Sequence, residues 1–392
     1  MSASDPTSRA ADLLAGPRGR RLLLEFTLDA ADTADTADTE DTATGTAHPL
    51  NAAVFEVSDA LDPQRDRTAR YFRIVADDGT PDAAPVEPET VEPETVRSVA
   101  RRLAGFLATH ALPDPTPELL DAALDVSVTA AMYWQEPDGA DALCSTPEMR
   151  EALVPAAEHL AASPLTDWWW STPDMADQWT VTWGEDATPF PVPDAAQRAE
   201  RLAGFSAKAR DGERRSATSF ERRRRVEDAA GGEWWSVPVW CVPMTTRRWP
   251  GGTAEPERGA HDPVGALFVE DRWVDEFCAT AYRPPTGARI LEITGADDWA
   301  GLCRDFPLDV TWSHRREWFQ TTGRDSKTAG PWLIPDWSAV AGTWDAVHLT
   351  VAGYLAAATR SIPVPGGGGA ADGQDAASVI AGWGPDVTYW LR

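Results

Sequence analysis

"DAVHLTV" (Asp345–Val351) is the clearest strand in the chain, and its reading sets the fold class. Side chains alternate along a strand, so Val347, Leu349 and Val351 share one face. Ala346, His348 and Thr350 share the other, more polar face. Outward from it, "ARILEIT" (288–294) is a second strand and "VTYWL" (387–391) a closing one. "TGADDWAGLC" opens a helix behind Thr294, with acids in its first turn. "PDWSAVAGTW" (335–344) gives a short helix capped by Asp336. "EWWSVPVWCVP" (233–243) and "PVGALFVED" (263–271) read as further strands, and "PGGGGAADGQDA" (365–376) as a flexible loop. Short strands interleaved with short helices make 233–392 an α+β domain with a mixed or antiparallel sheet.

The segment before it, 96–215, reads as helical. Val96, Val99, Leu103, Phe106 and Leu107 fall at helical spacing. Thr116 followed by Pro117 opens a second helix, Ser145 with Glu148 a third, and a further one covers 194–210. At the start, residues 1–20 read as a disordered tail and 21–85 as a small β-rich unit. Its strands are "RRLLLEFTLD" (20–29), "AAVFEV" (52–57) and "ARYFRIVADDG" (69–79). The acidic repeat 31–46 contains no apolar residue larger than Ala and reads as a disordered loop. The proline-bearing repeat at 86–95 reads as a linker. Residues 216–232 form a basic connector.

A net charge of −27 repels phosphate, which makes nucleic acid and anionic membranes unlikely partners. The stretch "RDGERRSATSFERRRR" (210–225) is the exception, readable as an RNA contact or a solvated connector. Cys144, Cys241, Cys278 and Cys303 form no C-x-x-C pair, so neither a zinc site nor a disulfide framework is expected, and the thiols fit the cytoplasm. No apolar run is long enough to span a membrane, and no apolar signal segment follows Met1. There is no G-x-G-x-x-G, G-x-S-x-G or H-E-x-x-H.

Five tryptophans crowd "DWWWSTPDMADQWTVTW" (167–183). In a strand, Trp168, Trp169 and Trp170 would alternate between core and cleft, so the stretch reads as core packing or as an aromatic wall beside Ser171 and Thr172. It is expected to pack on the C-terminal sheet. His348, with a near-neutral pKa on a polar face, is either a proton-exchanging group or a cross-strand structural histidine. His110 and His159 read as core or surface residues, His261 as loop, and His314 in "WSHRREW" as a solvated turn or an anion contact beside Arg315 and Arg316.

"AMYWQEPDG" (131–139), "ILEITGADDWAGLC" (290–303), "WLIPDWSAVAGTWDAVHLTVAGYL" (332–355) and "VIAGWGPDVTYWL" (379–391) resemble an uncharacterised protein family of high-GC bacteria. More distantly, the order of Trp170-Ser171-Thr172-Pro173, Ile293 to Trp299, Asp345 to Thr350, and Trp383, Asp386, Thr388 and Trp390 resembles ADP-ribosyltransferase-like proteins. That resemblance implies NAD or a related nucleotide held in a cleft between sheets, with no metal. It implies Asp386 as the acid, with His348 beside it. It implies Trp170 as the nicotinamide wall, with Ser171, Thr172 and Thr350 as polar support. The usual acid is Glu, one methylene longer, and the NAD-holding early Arg would be Arg70 or Arg73. Convergence of Trp170, Ser171, His348 and Asp386 on one cleft distinguishes this reading from a non-catalytic protein-interaction or immunity-type regulatory partner.

Overall fold

The computed structural model describes residues 5–38, 48–65, 93–184, 187–220, 226, 232–250, 262–272, 276–367 and 375–392. Its main sheet comprises β1 (Gln178–Trp183), β2 (Met244–Thr246), β3 (Phe277–Tyr282), β4 (Ile290–Ile293), β7 (Ala346–Leu349) and β10 (Thr388–Trp390). Their order is β3-β1-β2-β10-β7-β4. Every pairing is antiparallel except β4 with β7. The chain between β4 and β7 carries the helix Ala296–Asp305, the strands β5 (Pro307–Asp309) and β6 (Leu333–Pro335), and the helix Trp337–Thr343. That length is what a parallel return requires. β5 pairs with β6, and β8 (Ile362–Val364) pairs with β9 (Ala376–Ser378). The fold is α+β, as the interleaved pattern implies.

The N-terminal third departs from the sequence reading. The expected strands at 20–29 and 52–57 are helices, so the N-terminal unit is not β-rich where it is described. They belong to α2 (Pro17–Asp38) and α3 (Pro49–Leu61), which follow α1 (Pro6–Ala15). Each begins with a proline in its first turn, where the missing N–H costs nothing and the fixed φ suits a helix. Leu22, Leu23, Leu24 and Phe26 are all fully buried. A helix enclosed on several faces loses its polar stripe, and a short window of it reads like a strand. Pro93 likewise opens the helix Pro93–Thr109 where a linker is expected. Residues 69–79, most of the linker and the end of the acidic repeat lie outside the described residues. The boundaries at 20 and 215 fall inside α2 and the helix Ala195–Phe220.

Two strand-like stretches also differ. Residues 233–243 are irregular with one turn at 239–241, and 263–271 contain only the short helix Val264–Leu267. Pro238, Pro243 and Pro263 remove the donors a ladder needs. Within the aromatic stretch, Pro164–Trp170 is a 3₁₀ turn rather than a strand, 171–177 is irregular, and β1 takes the last six residues. The expected cap at Ser145 is supplied by Thr146. Thr116 caps Pro117–Thr129 as the sequence implies.

One hydrophobic cluster runs from α1–α3 through the helices of 93–161 to β7, β10 and the helix Val351–Ala357. Among the described residues, seven tryptophans are fully enclosed, Trp299, Trp337 and Trp383 among them. These three meet edge to face at 5.9–6.0 Å where Trp383 contacts the other two, a favoured aromatic geometry. The α1–α2 corner sits directly on the helix Val351–Ala357. A β-carbon on Gly16 would lie 2.2 Å from the Leu355 carbonyl oxygen. That contact is with backbone, which cannot yield cheaply.

Gly16→Ala is therefore expected to destabilise the protein by about 2 kcal/mol or more. Chemical denaturation checks it; an unchanged midpoint would show that the corner is not held as described.

Candidate functional site

Register brings Thr280, Thr180, Thr245, Thr388, His348 and Glu292 into one row across the sheet. His348 Nδ1 lies 2.9 Å from Thr388 Oγ1, and the Trp390 indole donates to Thr245 Oγ1 at 2.7 Å. His348 is fully buried, so its polar face is interior rather than a route to solvent. Burial, reinforced by the Arg247 charge, pushes its pKa down to about 3. That corrects the near-neutral value the strand pattern suggests.

Asp386 lies beside it, with Oδ1 3.9 Å from His348 Nε2. The carboxylate is buried and takes donors from Thr246 Oγ1 at 3.1 Å, the Arg247 amide at 3.0 Å and Arg247 Nε at 2.9 Å. Burial raises the Asp386 pKa and Arg247 opposes that shift. With donors on both oxygens, this is an ion pair built into the core.

The structure thus brings His348 and Asp386 together, while the Trp170 and Ser171 side chains are taken up by other partners. The Trp170 indole donates to Asp12 of α1 at 2.9 Å, and the Arg9 guanidinium lies 4.8 Å from its ring centre. Ser171 Oγ donates to the Trp168 carbonyl at 2.8 Å. Thr172 contributes its carbonyl, which accepts from Arg247 Nη2 at 2.6 Å. Thr350 accepts from the Gly353 amide and caps the helix Val351–Ala357. Arg70 and Arg73 lie outside the described residues, as do His261 and Arg222 to Arg225.

A cleft of about 260 Å³ is walled by Trp183, Trp234, Trp235 and Trp240, with Glu270 and Asp271 among its lining. Trp183 and Trp240 stand nearly perpendicular at 6.0 Å. Tyr133, Trp234 and Trp235 form a continuous stack, with ring centres 5.4 and 3.8 Å apart. Trp240 is 53% exposed. Gly382 lets Trp235 approach: its φ is +77°, and a β-carbon there would lie 2.2 Å from the indole. Trp240 and Asp271 also hold positive φ, at 63° and 47°. Such conformations cost about 1–3 kcal/mol each and gather at functional sites.

Glu270 Oε1 accepts from the Tyr133 hydroxyl at 2.6 Å, and Oε2 accepts from the Gly382 amide at 2.9 Å. Tyr354 lies beside the same carboxyl, short of full hydrogen-bond geometry. Burial pushes the Glu270 pKa up to about 7, against the pull of these donors and of Arg18. Burial raises Asp271 too. A carboxyl that titrates near neutrality at the edge of an aromatic hollow is equipped for proton exchange. The sequence reading places these acids at the end of a strand and misses them. Their signals are the paired Trp234-Trp235, the acid pair 270–271 and the glycines flanking Trp383.

A second hollow of about 710 Å³ shares Trp235, Val239 and Trp240, and is lined by Lys208, Arg215 and His314. His314 is buried, not in a solvated turn: its Nε2–H donates to the Trp235 carbonyl at 3.1 Å, and burial lowers its pKa to about 4. No cluster of metal-ligating side chains occurs among the described residues, and none of their helices is long and apolar enough to cross a membrane. No family model, curated protein or solved structure matches the chain.

Arg247→Met strands Asp386 without a counter-ion and is expected to cost about 3–5 kcal/mol of stability, read by denaturant titration. For Glu270, the folded protein retains a proton between about 4.5 and 7 that the unfolded chain has lost. Its stabilising contribution is complete below that window and disappears as pH rises through about 7. Glu270→Gln, permanently neutral, is expected to gain melting temperature relative to the parent between pH 5 and pH 8. A constant difference would contradict the assignment.

Proposed function

We propose that the protein binds a small molecule with a flat ring in the Trp183–Trp235–Trp240 cleft, beside Glu270, whose charge changes near neutrality. The observation that carries this reading is the meeting of four indoles with a carboxyl of near-neutral pKa. Ligand pockets are typically aromatic-lined with a few placed polar groups, and an exposed indole gives a stacking surface with little reorganisation. The nicotinamide-bearing nucleotide implied by the sequence resemblance belongs to this ligand class. Its chemistry is assigned here to Glu270 and Asp271, since Asp386 is engaged by Arg247.

Titration with nicotinamide, adenosine and NAD, followed by tryptophan fluorescence and thermal shift, tests the reading. Stacking of a ring on an aromatic side chain contributes about 1–3 kcal/mol. Trp240→Ala is therefore expected to weaken binding about 5- to 150-fold without lowering the melting temperature, while Trp170→Phe leaves binding unchanged. Absence of any response to all three compounds at millimolar concentration removes the proposal.

A further inference from the structure

We infer that the occupant of the indole cleft is a cation, a flat ring bearing a fixed positive charge of the pyridinium class. This deepens, and rests on, the reading of the cleft as a ligand site. Four indoles line it, with Trp183 and Trp240 set nearly at right angles. An indole face is the negative pole of the ring quadrupole and attracts a cation placed over it. Two acids, Glu270 and Asp271, share the lining. Among the described residues that line it, the one basic side chain is already engaged: Arg272 donates to Asp125 at 3.1 Å and to the Leu267 carbonyl at 2.8 Å. Lys208 and Arg215 line the neighbouring hollow, not this one. The chain's net charge of −27 adds a long-range field of the same sign. An anion entering here would meet two carboxyls, whereas a cation meets aromatic faces and acids together.

The groups around Glu270 set how this preference changes with pH. Tyr133 and Tyr354 contribute hydroxyls, Gly382 a backbone amide, and Arg18 of α2 a buried charge. Asp271 and Arg272 follow it in the lining. Both phenols are held far above their usual pKa by burial, so they stay neutral across the physiological range. Arg18 stays charged, with Asp141 as its partner. Glu270 is therefore the group whose charge changes near neutrality, around a pKa of about 7. Its ionised fraction rises from about a tenth at pH 6 to about nine-tenths at pH 8, which bounds the gain in cation affinity at about ten-fold.

Calorimetric titration of the full chain with 1-methylnicotinamide and with nicotinamide compares one ring with and without the charge. The cation is expected to bind at least ten-fold tighter at pH 8, and most of that advantage should disappear at pH 6. Glu270→Gln should abolish the pH dependence. Asp271→Asn, a second variant should the first not fold, should weaken the cation and leave nicotinamide unaffected. Equal or tighter binding of the neutral ring overturns the inference and leaves the cleft as a ring site. Binding of neither overturns both readings.

Discussion

Arg18 is a permanent cation with no solvent exposure, and the arrangement of the chain's two ends depends on satisfying it. Its Nη1 donates to the Ser127 carbonyl at 2.6 Å and its Nε to Thr359 Oγ1 at 3.2 Å, while Nη2 pairs with Asp141. Ser127 Oγ returns a bond to the Arg18 carbonyl at 2.6 Å. One side chain from α2 thereby ties together residues near 127, 141 and 359. A guanidinium this deep is tolerated only where every donor is placed, because removal from water costs several kcal/mol. Its field extends to Tyr354 and Glu270, where it favours the ionised carboxylate and tempers the shift that burial imposes. The chemistry of the cleft is thus coupled to the anchoring of the first helices.

The C-terminal sheet was legible because its strands keep local signals. β7 and β4 carry β-branched and apolar side chains, and Thr350 both ends β7 and caps the following helix. The parallel pairing between them fits a connection long enough to hold helices. What periodicity does not reveal is that β7 is buried on both faces. A row of threonines and one histidine reads as solvent-facing, yet cross-strand and side-chain hydrogen bonds satisfy most of it within the sheet. In α2 the same limitation works the other way: arginines at 18, 20 and 21 look like a polar face, yet each is buried with bonded partners. The proline at its start was the surviving helix signal, outweighed by the apolar run that follows.

The cleft was less legible than the fold. It is assembled from Trp183, the 234–240 and 265–272 segments and the 382–387 corner, which are far apart in sequence. No spacing rule connects them. The tryptophan triplet at 168–170 attracted the reading because it is dense. Density there serves packing: Trp169 is fully buried, Trp170 is fixed to α1, and Trp168 faces Arg247 at 5.3 Å. Among the described residues, the exposed indole is Trp240, which sits in an irregular turn with positive φ.

Asp386 and Glu270 show why the kind of neighbour decides a carboxyl's role. Both are desolvated, and burial raises the pKa of both. Asp386 receives a guanidinium, a hydroxyl and a backbone amide, and together with its positive φ it stitches β2 to the approach to β10. Its charge is balanced in place, and a proton added there would break the pair. Glu270 receives one phenol hydroxyl and one backbone amide, and the guanidinium that acts on it, Arg18, is already committed to Asp141. Nothing adjacent fixes it in one protonation state, so its charge follows pH and the occupant of the cleft. Neighbours of different kinds thus separate structural from chemical roles within one fold. The residue able to respond to a ligand is the one whose charge the protein leaves unbalanced.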